Sequence, residues 1–421
     1  MQKLSIDRLQ PGIFISLASV GWLRHPFLIN EFRLSSEKQI QALREMGLTE
    51  IAWDPARSNV EPLPETGEQD AAAESNLPDE EDFTGAALAG MLDEKRGRAA
   101  QLRQQRENLA RRERQYEQEA IAAGDILKSF AAKPMEAHSK AKNLVGGVVS
   151  GLVGSESMVI HLVNQKSREA GIAFHSLNVM VLSLLLGRAA NLSEEELKLL
   201  GIGALIHDIG KAEIPARVLR SNSRTAPEEA FYRAHIGYGI KAVAVLRDLP
   251  VQVRNIIACH HEHWDGGGFP NALVGEKIPR LARFAAIGNR YDNLCNPFDL
   301  REAKTPAEAL RQMFRSEAAH FDPTLLQLFV RTMGVYPPGS FVALSNGAVG
   351  LVVETHADDL LRPLVMLHDP DVPRTEAMLL DLKDVDLKVT SALSPAKLPV
   401  EVVEYLAPRG RLDYYVEGSS A

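Results

Sequence analysis

Between Ser139 and Met333 the apolar positions recur at helical spacing, whereas the segments near the start of the chain and after Tyr336 alternate residue by residue. The middle of the chain, 139–335, therefore predicts an all-α domain. Its helix starts are legible: Ser193 with Glu196 makes a capping box before LKLLGIGALIHD, and Pro227-Glu228-Glu229 opens the helix that carries His235. Upstream, LSIDRLQPGIFISL alternates like strand around a Pro11-Gly12 turn, SSEKQIQALREMG reads as a helix closed by Gly47, and EIAW resumes strand. That pattern predicts a small α+β module over 1–54. Downstream, Pro337, Pro338 and Gly339 end the helical pattern, and FVALS and AVGLVVE flank Asn346-Gly347, the strongest short hairpin signal. A small β appendage is expected over 336–406, then a loose tail over 407–421. The fold class is mainly α, with a small α+β module before the bundle and a small β appendage after it.

Two connecting segments separate the first module from the bundle. Residues 55–82 combine Pro62, Pro64 and Gly67 with scattered carboxylates and few large apolar side chains, the composition of an acidic flexible linker. Residues 83–138 are rich in helix formers and read as a connecting helix. Leu102, Leu109 and Tyr116 stand seven residues apart on it, a seam that a homodimer could use, but Arg106 and Glu113 interrupt the core positions and a solvated helix accounts for the pattern equally. Arg111, Arg112 and Arg114 read as a solvated face. Trp22, His25, Pro26 and Phe27 read as core aromatics of the first module rather than as a ligand surface.

Charge narrows the function classes. A formal charge of −8 supplies no broad basic surface for DNA, though a local cationic site could still hold a small anion. Two isolated cysteines, Cys259 and Cys295, make no CxxC and fit a reducing cytoplasm as small buried hydrophobes. MQKLSIDRLQ has no apolar segment of a signal peptide. The most apolar stretch, Leu177 to Leu186, is shorter than the roughly 20 residues a bilayer requires, so no membrane anchor is expected and the location expected is cytoplasmic.

The chemistry gathers in the helical segment. LLGIGALIHDIGK at 199–211 ends an apolar helix in adjacent His207 and Asp208, with Gly210 and Lys211 one turn beyond. Further histidines follow in polar company: His175 in AFHSLNV, His235 in YRAHIGYG, and His260 and His261 in CHHEHWDGGGFP; His161 and His320 lack such neighbours. One histidine on an apolar helix is usually a satisfied core residue, but several beside an HD pair and a tandem HH are hard to explain that way. Imidazole and carboxylate together suit Fe, Mn, Zn or Ni, and the lack of cysteine ligands argues against a structural zinc. A carboxylate such as Asp208 could bridge two ions roughly 3.5–4 Å apart, the spacing of hydrolases that clamp a phosphoryl group.

HDIGK at His207–Lys211, His235, and HHEHWDGGGFP followed by LVGEKIPRLARFAAI resemble the HD-GYP family, bacterial phosphodiesterases of the HD superfamily that hydrolyse cyclic di-GMP. The resemblance covers about His175 to Arg301, and the first module is similar to a domain of uncharacterised function often found ahead of HD-GYP domains. It implies an HD-type helical bundle, two divalent transition-metal ions (Fe or Mn), and a metal-activated water that opens cyclic di-GMP to pGpG and onward to GMP. The implied metal ligands are His175, His207, Asp208 as the bridge, His235, His260 and His261. Lys211 would contact the scissile phosphate, Gly266 and Gly268 would let the substrate approach, and Glu262 and Asp265 would orient the ligands and their loop. Diguanylate cyclases and other signalling proteins are the implied partners.

Three departures bear on turnover. The aspartate expected in an AD-x-x-D pattern is Asn289, with Asp292 at the second acidic position, so the remaining metal position is filled by an amide that brings no charge. GYP reads Gly268-Phe269-Pro270, which keeps ring and turn. The RPYR-like segment reads Phe298-Asp299-Leu300-Arg301 and keeps only Arg301 as a substrate cation. A third metal is not expected, because Gly171 stands where some relatives have a glutamate. The alternative reading is a catalytically impaired sensor of cyclic di-GMP or a protein-interaction adaptor.

Overall fold

The computed structural model describes residues 1–17, 20, 25, 27, 30–64, 83–153, 158–163, 171–221, 223–356, 359–370, 372–407 and 412–418. Strands β1 (Gln2–Ser5), β2 (Phe14–Ser16), β3 (Glu31–Arg33) and β4 (Glu50–Trp53) form an antiparallel sheet in the order β1-β4-β2-β3, crossed by helix α1 (Glu37–Glu45), which buries Ile40 and Leu43. The segment expected as linker is not all linker. Asn59 N–H donates to Gly12 O at 2.9 Å and Leu63 N–H to Arg8 O at 2.9 Å, so residues 55–64 fold back onto the sheet. The remainder, 65–82, lies outside the described residues. His25 is buried and Phe27 packs at 4.8 Å from Phe32, as core aromatics do; Trp22 and Pro26 lie outside the described residues.

Helix α2 runs over Phe83–Ser129 and is followed by α3 (Pro134–Val153). From Tyr116 onward α2 is a core element rather than a solvated rod. Tyr116, Ala120, Ala123, Ile126 and then Phe130 are buried at the three-and-four spacing of one helix stripe. Earlier on the helix, the Arg106 guanidinium donates to the carbonyls of Glu376 and Ala377, and Arg112 pairs with Glu354 at 3.2 Å. Two of the three seam residues are thus occupied within the chain: Tyr116 in the bundle core and Leu109 against the C-terminal sheet. The side chain of Leu102 lies outside the described residues.

The bundle continues with α4 (Gly171–Ala189), α5 (Glu194–Ile206), α6 (Ala216–Leu219), α7 (Ala226–Arg233), α8 (His235–Val243), α9 (Val251–Cys259), α10 (Arg280–Cys295), α11 (Pro306–Arg315) and α12 (Pro323–Met333). The Ser193–Glu196 capping box opens α5. Helix α4 is buried nearly all round, as its uniform hydrophobicity demands. It alone among the described residues is long and apolar enough to cross a membrane, and 78% of its window Ile172–Ala189 is covered by the fold.

The second sheet reaches beyond the segment assigned to it. Strands β5 (Met158–Val163), β6 (Phe341–Leu344), β7 (Val349–His356), β8 (Leu364–Leu367), β9 (Leu379–Asp381), β10 (Val389–Leu393) and β11 (Asp413–Gly418) are all antiparallel; their path is β10-β6-β7-β5-β11, with β8 branching from β7 to β9. A short helix, α13 (Val400–Leu406), precedes β11. Strand β5 comes from within the stretch read as helical, and β11 from the stretch read as a loose tail. Both are six-residue strands, and each pairs with the other over its full length. The apolar face of the sheet joins the first module in one core, where Ile13, Ile15 and Leu34 meet Val342, Val352 and Leu380. The two ends of the chain therefore form one body.

Candidate metal centre

Five segments deliver the ligands. His175 stands on α4, His207 caps the C-terminus of α5, and Asp208 begins the 3-10 turn Ile209–Glu213. His235 is the first residue of α8, and His260 caps α9, with His261 next. Helix ends suit this purpose, because the chain leaves the helix where its last side chains project inward. Gly210 sets the spacing between two segments. A Cβ there would fall inside the backbone of His235 and Gly239, so only glycine lets the HD turn lie on the first turn of α8.

Asp208 is the hub. Its Oδ2 faces His175 Nε2 at 3.3 Å and His207 Nε2 at 3.2 Å, while its Oδ1 faces His235 Nε2 and His260 Nε2 at 3.5 Å each. Candidate ligand atoms fall into two groups, each within 4.8 Å: His175, His207 and Asp208; and Asp208, His235, His260 and His261. Asp208 belongs to both.

The outward ring nitrogens of His175, His207, His235 and His260 are already used. His207 Nδ1 bonds to Ala204 O at 2.7 Å, His235 Nδ1 to Tyr232 O at 2.6 Å, and His260 Nδ1 to Ile257 O at 3.1 Å. Only His175 bonds a carboxylate, Asp292 Oδ2, at 2.7 Å. A proton held at Nδ1 leaves the Nε2 lone pair directed inward. The Nε2 atoms of His175, His207, His235, His260 and His261, and Oδ1 of Asp208, are all buried without a hydrogen-bond partner. The four neutral imidazoles and the Asp208 oxygen make five converging acceptor atoms without a donor, costly in a protein interior, and a divalent cation supplies them with a partner. The residues fit a metal.

Electrostatics match that use. Burial pushes His235 and His260 down to about 4, and pushes His207 and, further, His261 below the ordinary imidazole range, so these rings are neutral ligands at neutral pH. Burial acts on His175 in the same direction, but Asp208 and Asp292 outweigh it and hold the ring at about 9. Burial would raise Asp208; the Lys211 charge and the hydrogen bonds from His175 and His207 prevail and keep it a carboxylate. Lys211 Nζ lies 2.5 Å from Asp208 Oδ2 and 5.6 Å from the Tyr232 ring centroid. Burial works against its ammonium, and Asp208 holds the charge in place.

The other expected residues are placed less directly. Asn289 is buried, and its Oδ1, the atom a cation would need, accepts from Asn293 Nδ2 at 2.7 Å. Glu262 is buried and accepts the N–H groups of Asn271 at 2.7 Å and Leu273 at 2.9 Å, pinning the loop that follows the tandem histidines. Asp265 accepts Gly267 N–H at 2.8 Å as a turn residue and touches none of the ligands. The glycines of the loop are closely packed. A Cβ on Gly268 would enter the backbone of His261–His263 and one on Gly266 would meet Val274, so both glycines let the loop close on itself. Phe269 stacks on His261 at 4.6 Å, which is what its ring contributes without a hydroxyl. Arg301 is exposed and forked onto Asp299, with Nη2 to Oδ2 at 2.6 Å, on the rim of a cleft of about 990 Å³ that Arg290, Asn293, Lys304 and Arg311 also line.

Sequence reasoning missed Tyr232, whose ring lies 5.1 Å from His235 and 4.0 Å from the Arg224 guanidinium carbon. It left Asp292 at the second acidic position without a role, whereas the structure makes it the partner of His175. The AD-x-x-D spacing was the available signal: three residues on, Asp292 lies on the next turn of α10 from Asn289.

A histidine–aspartate cage shared across two ligand groups in a helical bundle defines a metal-dependent HD-domain hydrolase. Residues 156–325 match the HD domain model, and residues 1–141 match a domain of unknown function, DUF3391. Among curated proteins, the chain is 30% identical over 367 residues to "Cyclic di-GMP phosphodiesterase PA4108" of Pseudomonas aeruginosa, covering 87% of this chain and 84% of that one. It is 29% identical over 233 residues to "Cyclic di-GMP phosphodiesterase response regulator RpfG" of Xanthomonas campestris, covering 55% of this chain and 56% of that one. It is 30% identical over 181 residues to "3'3'-cGAMP-specific phosphodiesterase 2" of Vibrio cholerae, covering 42% and 34%. The chain belongs to the HD-GYP family and is a metal-dependent phosphodiesterase with a DUF3391 module at its N-terminal end.

Proposed function

We propose that this phosphodiesterase hydrolyses cyclic di-GMP to linear pGpG and onward to GMP, with two divalent transition-metal ions, Fe or Mn, held around Asp208. The observation that carries the reading is the double membership of Asp208: one oxygen serves His175 and His207, the other His235 and His260, with His261 completing the second group. Bound there, such ions supply a nucleophilic water at neutral pH and offset charge on the phosphoryl oxygens. The substrate follows from the relative that matches along most of both chains. Lys211 holds its cation at the cage and is the group placed to meet a phosphate oxygen once Asp208 is engaged by metal. Arg301, the cation the family pattern offers to the substrate, is engaged by Asp299 in this structure and would meet a second phosphate by exchanging that partner. Asn289 is a neutral neighbour of the cage, its oxygen shared with Asn293.

The test is incubation of the purified chain, loaded with Mn(II) or Fe(II), with cyclic di-GMP, and separately with 3'3'-cGAMP, with products separated by chromatography. Linear pGpG at a higher kcat/KM than the linear product of 3'3'-cGAMP is expected. Cleavage of 3'3'-cGAMP alone would overturn the substrate assignment. One observation favours the second reading, a receptor that binds the dinucleotide without cleaving it: Asn289 contributes no negative charge where the family pattern has a carboxylate. Tight binding of cyclic di-GMP by metal-loaded protein that forms no product would decide for it.

A further inference from the structure

His175 differs from the other cage histidines in what stands behind it. Its Nδ1 bonds to Asp292 Oδ2, and Asp292, fully buried on α10, accepts on its other oxygen from Asn178 Nδ2 and Asn296 Nδ2, each at 2.8 Å. Both amides reach on to the C-terminal segment. Asn296 donates to Leu412 O at 2.6 Å and accepts Leu412 N–H at 2.8 Å, the two-bond pairing that an amide makes with an extended backbone. Asn178 donates to Leu412 O at 3.1 Å and to Asp413 Oδ1 at 3.3 Å. Its Oδ1 accepts Tyr414 N–H at 3.1 Å and the Tyr116 hydroxyl at 2.9 Å. Asn178, Asp292, Asp413, Tyr116 and Tyr414 are all buried.

We infer that Asn178 and Asn296, clamped by the backbone of residues 412–414, are positioning residues for the metal bound at His175, so that the C-terminal strand completes one half of the metal site. This rests on the two-metal reading above. The carboxylate behind a ligand histidine fixes its tautomer and ring angle and raises its basicity. Here that carboxylate is aimed by two amides, whose remaining hydrogen bonds, apart from the one from the Tyr116 hydroxyl, are made by a segment more than 110 residues away in sequence. The same segment begins β11, in the sheet that shares its core with the N-terminal module. A change in that body has a contiguous hydrogen-bonded route to His175 and none of this kind to His207, His235 or His260, whose Nδ1 atoms bond to carbonyls of their own helical turns. The effect is therefore selective for one ion.

The test measures Mn(II) binding by equilibrium dialysis on the full chain, comparing wild type with Asn178→Leu, Asn296→Leu and Tyr116→Phe, each first checked for native circular dichroism. Removing a group that supports a ligand histidine weakens metal binding by roughly 10- to 100-fold. The expected result is two Mn(II) per wild-type chain, with one site weakened by that factor in both amide variants and by less in Tyr116→Phe, the other site remaining at wild-type affinity. Unchanged affinity at both sites in folded variants overturns the inference, as does equal weakening of both, which a merely structural network would give. Should Asn178→Leu fail to fold, Asn296→Leu and Tyr116→Phe carry the same comparison. A wild type that binds no Mn(II) would instead overturn the metal reading.

Discussion

Gly210 lies against the backbone of His235 so closely that no side chain fits between them, and this contact fixes the distance between the HD turn and the first turn of α8. Gly210→Ala forces a methyl into a carbonyl oxygen and must push the two segments apart. Overpacking of this kind costs about 1–3 kcal/mol, and backbone on both sides gives way less than a side chain would. The expected outcome is a lower urea midpoint together with loss of metal from the group containing His235, measured by denaturation and elemental analysis.

Asn289→Asp restores the carboxylate that the family pattern has at this position. Its oxygen can still accept from Asn293, and the second oxygen replaces an N–H group with an anionic acceptor. Metal affinity is expected to rise roughly tenfold, and cyclic di-GMP turnover with it. Dialysis against Mn(II) and product chromatography check both; an unchanged affinity would show that position 289 does not act on the ions.

Lys211→Met removes a buried ammonium that touches Asp208. If Lys211 meets the developing phosphoryl charge, kcat should fall on the order of 10²–10³ with little change in metal content, the size of loss seen when one transition-state donor is removed. A fall in metal content of the same size as the fall in kcat would instead make Lys211 a structural partner of Asp208.

The metal-free protein should be acid-sensitive in a defined window. Burial holds His235 and His260 at about 4 in the folded chain, against an ordinary value near 6.5. Between those values the unfolded chain binds more protons, so stability falls as pH falls through the window. His175, held at about 9, acts in the opposite sense: its contribution is present below about 6.5 and is lost as pH rises through 9. Denaturant midpoints in chelator should therefore peak between the two windows, and a midpoint that rises steadily on acidification below pH about 6 would contradict the assignment.

The sequence made some of this legible and hid the rest for physical reasons. His207, Asp208, His235, His260 and His261 stand at helix ends in short polar contexts, and a resemblance over His175 to Arg301 could collect them. The packing role of Gly266 and Gly268 is not legible in sequence, because a glycine's freedom looks the same whether the space beside it takes a ligand or the loop's own backbone. Strands β5 and β11 were missed because each finds its principal partner in the other, some 250 residues away, and six residues of alternation cannot announce such a pairing. For the same reason the role of Asp292 is hidden in the sequence. Its partners Asn178 and Asn296 are common polar residues, and only the fold brings them to Leu412.

The central claim is that one carboxylate joins two metal positions, and elemental analysis of Asp208→Ala beside wild type tests it most directly. The wild type, loaded with Mn(II) and freed of excess, should carry two ions per chain, and the variant should lose both, because Asp208 belongs to both ligand groups. Two ions retained in a folded Asp208→Ala protein would contradict the account.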